Sequence, residues 1–493
     1  MAATALHLPE EILTLIVDYL RLPSAITIGE KRGPNFSTLS DSDRAIKLQL
    51  RTLAYLSRTS KSLYHIVKPV LYHTYPGFRI ANARKFIKTL ATVPGCADSV
   101  REIVVDKWEH VARGDEHPID RAPQSLDTQC LQYARGLRRM SSCYPMGLGS
   151  AVGAELESGR ADVVLTSLIM LCDNIEVLEV SVPCVDQEAH REEFMRARSL
   201  YFLLDLLPVY RWSSESYKRY QRIRRLAIRL EKHSGIFGCT FAKRLLMMPN
   251  VDSFSAWRIS CSRLLTSSDS AIINQPWPGL RRIELRECIM DNVTLAYLLQ
   301  RAPNLRDIDL HWAVQQYPLD FKSIAASLNT FGAGLQSVKL DTRNNFCRLP
   351  EPDPHLFAAR IHEAYDDPLG NLERMTTLVH LAVTPRALIG SYRYFDPKHK
   401  LVDCLPVSLT TLQILGPTRE DPDVALTGAV YRHLVPIMQD TPSTCSELRR
   451  ISFRCAAYAL HHSDVRSWRC DATRLNNLGP TPGFNTSFTK RCT

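Results

Sequence analysis

Reactive chemistry needs particular side chains at particular spacings, and few candidates occur in these 493 residues. Gly147-Leu148-Gly149-Ser150-Ala151-Val152-Gly153 has the glycines of a phosphate-cradling turn. It carries one residue too many for a dinucleotide fingerprint and follows no strand-like run, so it reads as a flexible turn. His461-His462, with Asp464 and Cys470 downstream, lacks a second ligand pair at metal spacing, and solvated histidines account for it. The sequence holds no G-x-S-x-G, P-loop or H-E-x-x-H run. The expectation is a protein that is not an enzyme and needs neither cofactor nor metal.

The remaining chemistry is charge. Lys and Arg exceed Asp and Glu by 10, and residues 201–260, with 11 basic and 4 acidic side chains, supply +7 of that excess. The density peaks in Tyr217-Lys218-Arg219-Tyr220-Gln221-Arg222-Ile223-Arg224-Arg225. Interleaved Tyr and Arg suit nucleic acid, but the rest of the chain is nearly balanced and lacks any nucleic-acid signature. A local basic face is more simply solvated surface or a protein contact, so nucleic acid is kept as a minor option. The 14 cysteines are scattered with no C-x-x-C, which predicts free buried thiols in a reducing compartment. The opening residues turn acidic by Glu10 and do not read as a signal peptide, and no run is long and apolar enough to span a membrane. Residence in the cytosol, the nucleus or both is expected. Three glycosylation-type triplets, starting at Asn35, Asn292 and Asn485, then read as chance matches.

These charges must be positioned by regular elements, and one pattern recurs. An apolar-x-x-apolar-x-apolar unit begins at Val100, Ile175, Ile223, Leu280, Leu305, Leu335, Leu378, Leu409 and Leu448, with a weaker copy at Val251. Alternation over its last four positions is the period of a half-buried strand. Helical stretches 295–302, 242–248 and 165–172 each close on a Pro-Asn or Asp-Asn step just before a strand unit. Starts at 223, 251, 280, 305 and 335 are 25 to 30 residues apart, while other intervals widen to as much as 75.

At the other end, Glu10 and Glu11 follow Pro9, favourable at the positive end of a helix dipole. Ile12, Leu13, Ile16, Val17 and Leu20 then form one apolar stripe. Residues 23–43, rich in Gly, Pro and Ser, predict a loop. A second helical stretch carries Leu53, Leu56, Ser60, Leu63 and Val67, with a break or kink at Lys68-Pro69.

Two resemblances follow. Leu8-Pro9-x-Glu11-Ile12-Leu13, then Leu53-Ala54-Tyr55-Leu56-Ser57-Arg58-Thr59-Ser60-Lys61, then Leu71-Tyr72 resemble the F-box in its fungal form. The chain departs from that pattern in a long insertion at about 21–49 and in Leu63, where Trp is commoner. The strand units resemble the divergent leucine-rich repeats found behind F-boxes. The implied fold class is α/β: an N-terminal all-α F-box-like helical module over 1–76, then an irregular leucine-rich-repeat solenoid over 77–470. Parallel strands would line its concave face and helices its convex face. Residues 471–493 are expected to form a disordered tail.

The resemblance implies a substrate-recognition adaptor of an SCF-type (Skp, cullin, F-box) ubiquitin ligase. It would dock on the Skp-type linker, and through it the cullin scaffold, by Leu8, Pro9, Ile12, Leu13, Ile16, Leu56, Ser57, Ser60 and Leu63. A second reading makes those residues the core of a helical cap on the solenoid. An unknown target protein would meet the concave face: Arg225, Arg229, Arg282, Glu284, Arg286, Asp307, Asp309, His311, Lys339, Arg450 and Arg454, with Asp341 and Gln413 beside them. Mixed charges in discrete patches fit a protein partner. Equally, they can pair across neighbouring strands and bind nothing. The alternative function is a leucine-rich-repeat scaffold unconnected with ubiquitin.

Overall fold

In the computed structural model, residues 9–21, 41–77, 86–87, 89–90, 92–105, 168–169, 171–182, 222–230, 237–238, 250–261, 276–313, 319–343, 368–390, 404–416, 447–456 and 485–491 are described. The chain divides into two compact units, Met1–Gly235 and Ile236–Thr493. It is an α/β protein, and all strand pairings among the described residues are parallel.

Among the described residues the first unit begins with three helices, α1 (Glu10–Tyr19), α2 (Asp41–Thr59) and α3 (Lys61–Leu71). Val17, Leu53, Val67 and Val70 make their common core, with Leu20, Leu56, Ile66 and Leu71 packed against it. α2 begins at Asp41, inside the loop expected over 23–43, and residues 22–40 lie outside the described residues. The expected second helix is in fact two. Ser60 takes an extended backbone, its Oγ accepts from the Leu63 N–H at 3.1 Å, and it caps α3. The break expected at Pro69 does not occur: α3 runs two residues further, since a proline this near the end costs little more than an unmade hydrogen bond.

Four parallel strands follow: β1 (Thr74–Gly77), β2 (Glu102–Val105), β3 (Val177–Val182) and β4 (Arg225–Leu230), with the short helix α4 (Cys96–Ser99) before β2. They pair in chain order. β1 lies across the expected module boundary at 76, so α3 leads directly into the sheet.

The second unit contains β5 (Phe237–Gly238), β6 (Ser253–Trp257), β7 (Ile259–Ser260), β8 (Arg282–Cys288), α5 (Asn292–Arg301), β9 (Asp307–Trp312), α6 (Phe321–Phe331) and β10 (Ser337–Asp341). Then come β11 (His380–Val383), α7 (Pro385–Ile389), β12 (Thr411–Leu415), β13 (Arg450–Ala456) and β14 (Asn485–Arg491). β5 pairs only with β7; the others pair in the order β6, β8, β9, β10, β11, β12, β13, β14. β14 falls where the sequence predicts a disordered tail. Its backbone pairs with β13 over seven positions, which satisfies N–H and C=O groups whatever the polarity of the side chains.

Every one of the ten strand units read from the sequence is a strand, and the leading apolar residue of each is buried just before it: Val100, Ile175, Ile223, Val251, Leu280, Leu305, Leu335, Leu378, Leu409 and Leu448. The next residue explains the repetition. Its carbonyl accepts from two successive N–H groups of the following unit, as Arg281 O does from Arg306 and Asp307. Arg306 O repeats the bond to Gln336 and Ser337, and Gln336 O to Val379 and His380. The helix-closing asparagines tie units together too: Asn174 donates to Asp98 O at 2.9 Å and Asn304 to Pro278 O at 2.8 Å. Each unit thus completes the backbone bonding of its neighbour, which is why the strands stack in chain order. The helical stretch 295–302 lies in α5, whose Asp291 cap accepts from the Thr294 N–H at 2.7 Å; the stretch 242–248 lies outside the described residues.

Candidate functional site

Most of the site residues expected from the sequence fall on two surfaces, one in each unit. On α1, Val17 and Leu20 turn into the three-helix core. The residues at i, i+3, i+4 and i+7 on the other side, Ile12, Leu15, Ile16 and Tyr19, are 42%, 65%, 46% and 88% exposed. Leu48 and Tyr55, seven apart on α2, are exposed as well. Apolar side chains at helical spacing and open to solvent form a face that a partner can cover.

The residues expected to contact a linker sort into two groups on this geometry. Pro9, Ile12 and Ile16 are exposed. Leu13 and Leu63 are half-buried, and Leu56 packs on the helical core. The Ser57 hydroxyl donates to Ala54 O at 2.9 Å, and Ser60 is engaged as the α3 cap. Leu8 lies outside the described residues. Leu15, Tyr19, Leu48 and Tyr55 were not singled out by sequence reading, although the 12, 15, 16, 19 spacing was there to be read.

The second surface is the face of β8, β9 and β10 that carries the alternate residues. In register, Arg282, Asp307 and Ser337 form one row across β8, β9 and β10, Glu284, Asp309 and Lys339 form the next, and His311 faces Asp341. Seven of the expected target-contacting residues therefore come together here: Arg282, Glu284, Arg286, Asp307, Asp309, His311 and Lys339. Arg450 continues the row of Arg282 at β13. Arg225 and Arg229 belong to β4 in the first unit; Arg225 is exposed, and the Arg229 and Arg454 side chains lie outside the described residues. The alternation expected for every strand fails in β2, where Glu102 and Val104 are buried along with Ile103 and Val105. The buried Glu102 carboxylate accepts from the Thr74 hydroxyl at 3.0 Å.

Much of the charge on β8–β10 is paired internally. Lys339 Nζ donates to both oxygens of Asp309 at 2.6 and 2.8 Å, a cross-strand pair worth about 0.2–1 kcal/mol. Arg286 Nε donates to Glu284 Oε1 at 2.5 Å, and Arg282 lies 3.7 Å from the other oxygen. Asp341, placed by the sequence on the open face, is buried, its side chain 4% exposed. Arg343 holds it through Nε at 2.9 Å and Nη2 at 2.6 Å. Burial pushes this carboxyl up, but the Arg343 hydrogen bonds and the charges of His311 and Arg343 outweigh it and hold it at about 2. His311, 3.7 Å from Asp341, has its pKa lowered because burial disfavours the imidazolium more than Asp341 favours it.

An irregularity marks this region. Between Leu285 and Cys288, β8 holds Arg286 and Glu287 where β9 has only His311, a β-bulge. Glu287 takes φ 49° and Arg258, just past β6, takes φ 62°. A left-handed non-glycine residue costs roughly 1–2 kcal/mol. The two strained residues pair, Arg258 Nε to Glu287 Oε2 at 2.7 Å, and the Arg258 N–H donates to Arg286 O at 2.8 Å. The Arg286 guanidinium lies 5.5 Å from the centre of the Trp257 ring.

Among the described residues no three His, Cys, Asp or Glu side chains are placed to hold a metal ion, and no helix is long and apolar enough to cross a membrane. Cys96, Cys172, Cys261 and Cys288 are free and buried, and burial pushes the Cys96, Cys172 and Cys288 thiols up, away from the nucleophilic thiolate. No protein-family model matches the chain, and no curated protein matches it either.

Proposed function

We infer that the chain is a non-catalytic substrate-recognition adaptor of an SCF-type ubiquitin ligase. Its F-box-like helices dock on the Skp-type linker, and its leucine-rich-repeat strands hold a target protein. The observation that carries this reading is the exposed face of α1: Ile12, Leu15, Ile16 and Tyr19 follow directly on the Leu8-Pro9 opening that resembles the F-box. A helix whose sole duty was to cap the sheet would turn its apolar residues inward. The regular strand units support the repeat half of the reading.

Neither task needs a cofactor. Holding target lysines beside a ubiquitin thioester makes transfer nearly intramolecular, so the adaptor acts through effective concentration. The test is recovery of purified Skp-type linker on the immobilised full chain. Ile12→Asp with Ile16→Asp should abolish recovery while leaving the thermal melt unchanged, because both residues lie outside the helical core. Equal recovery by wild type and variant, or none by either, would point to the scaffold reading instead.

A further inference from the structure

The paired left-handed residues after β6 and within β8 leave an unequal hydrogen-bonding surface. Its carboxylates are taken up internally: Glu284 by Arg286 Nε, Glu287 by Arg258 Nε, and Asp309 by Lys339. The arginines are not taken up to the same extent. Arg258 and Arg286 each bond through Nε, and among the described residues their Nη groups have no protein partner. Arg282, with 54% of its side chain exposed, has among the described residues only Glu284, at 3.7 Å. The Arg286 guanidinium lies over the Trp257 ring, 5.5 Å from its centre. Three guanidinium groups thus stand along β8 and just past β6 with donors to spare. Arg258 and Arg286 are each held by a carboxylate, and Arg286 also lies over an aromatic ring.

We propose that Arg258, Arg282 and Arg286, set by Glu284, Glu287 and Trp257, form a receptor for one anionic side chain on a segment of the target protein. The guanidinium fork matches the two oxygens of a carboxylate and those of a phosphoryl group alike, so the shared chemistry is a planar pair of acceptors. The backbone strain supports the assignment: two left-handed residues, one just past β6 and one within β8, are retained where the Arg258 N–H meets the Arg286 carbonyl. A nucleic acid fits less well. Asp307 and Asp309 lie on the next strand, in register with Arg282 and Glu284, and would face the neighbouring phosphates of a polyanion. A protein segment can present a single anion and bring its own cation to Asp307, while Lys339 already pairs with Asp309. The proposal rests on the adaptor reading only for calling the partner a target.

The experiment uses the full chain and dye-labelled peptides of one neutral sequence whose central residue is Glu, phosphoserine or Gln, with a single-stranded oligodeoxythymidine for comparison. The expected result is that the Glu or the phosphoserine peptide binds about tenfold tighter than the Gln peptide, the effect of one charge-assisted pair. Which of the two binds tighter identifies the carboxylate or the phosphoryl group as the natural ligand. Arg286→Gln and Arg258→Gln should each bring binding down to the Gln level, and Arg282→Gln, at the most exposed of the three, keeps the test available if the others do not fold. Equal binding of all three peptides by the wild type would overturn the proposal, as would full discrimination by the folded Arg variants or tighter binding of the oligonucleotide. Linker recovery measured on the same preparations separates the two readings. Linker bound without peptide discrimination sinks the receptor alone, and discrimination without linker sinks the adaptor alone.

Discussion

Asp341→Asn isolates the contribution of the Asp341–Arg343 pair. The carboxyl moves from its ordinary 3.8 to about 2 in the folded chain, and each unit is worth about 1.4 kcal/mol, so ionised Asp341 contributes about 2 kcal/mol at neutral pH. Its side chain is 4% exposed, so solvent screening takes little from that figure. Because the folded value is depressed, the contribution is complete above about pH 5 and fades as pH falls through 3.8 toward 2; by pH 3 roughly 1 kcal/mol remains. Asparagine cannot ionise, so the difference between wild type and variant should be about 2 kcal/mol at pH 7 and should narrow at pH 3. An assay local to the second unit is hydrogen exchange by mass spectrometry on a peptide covering 337–343, across a urea series at both pH values. Equal protection of wild type and variant at pH 7, or a gap that stays constant at pH 3, would refute the assignment of the depressed pKa to Arg343.

Three further predictions follow from burial and capping. Leu53→Ala, at the centre of the helical core, should cost about 2–5 kcal/mol by thermal melting, whereas Tyr19→Ala should stay within about 0.5 kcal/mol and instead weaken linker binding. Ser60→Ala should cost about 1 kcal/mol, with increased exchange confined to the first turn of α3, because only the Leu63 N–H loses its acceptor. His311, assigned by comparison with His311→Gln in an NMR titration, should titrate below 6.5. The unfolded chain takes the proton first, so the His311 contribution to stability is complete above 6.5 and declines as pH falls below it. A midpoint above 6.5 would mean that Asp341 governs the ring rather than burial.

The strands were legible because their signal is local. A leading apolar residue and two more at alternate positions suffice to bury one face, and all ten such units fold as strands. β1 was hidden because Thr74-Tyr75-Pro76-Gly77 contains the two residues least suited to a sheet; as the terminal strand of its sheet it tolerates a proline that an interior strand would not. β14 was hidden because Thr486 stands in the register position that Ile451 fills in β13. The break at Ser60 was missed because the apolar spacing continues across it, and only the extended backbone of the cap separates the helices. At the charged face, sequence alternation found Arg282, Glu284 and Arg286. It could not find Trp257, Arg258 or Glu287, whose roles depend on a bulge that adds one residue to β8 relative to β9 and on two left-handed backbones. Nor could it foresee that Asp341 is buried by an arginine only two residues further on.

The adaptor reading is tested most directly by size-exclusion chromatography of the full chain mixed with equimolar purified Skp-type linker. It predicts one early-eluting species containing both proteins, which Ile12→Asp with Ile16→Asp returns to two separate peaks. Wild type and linker eluting apart, or a complex that survives both substitutions, would contradict it.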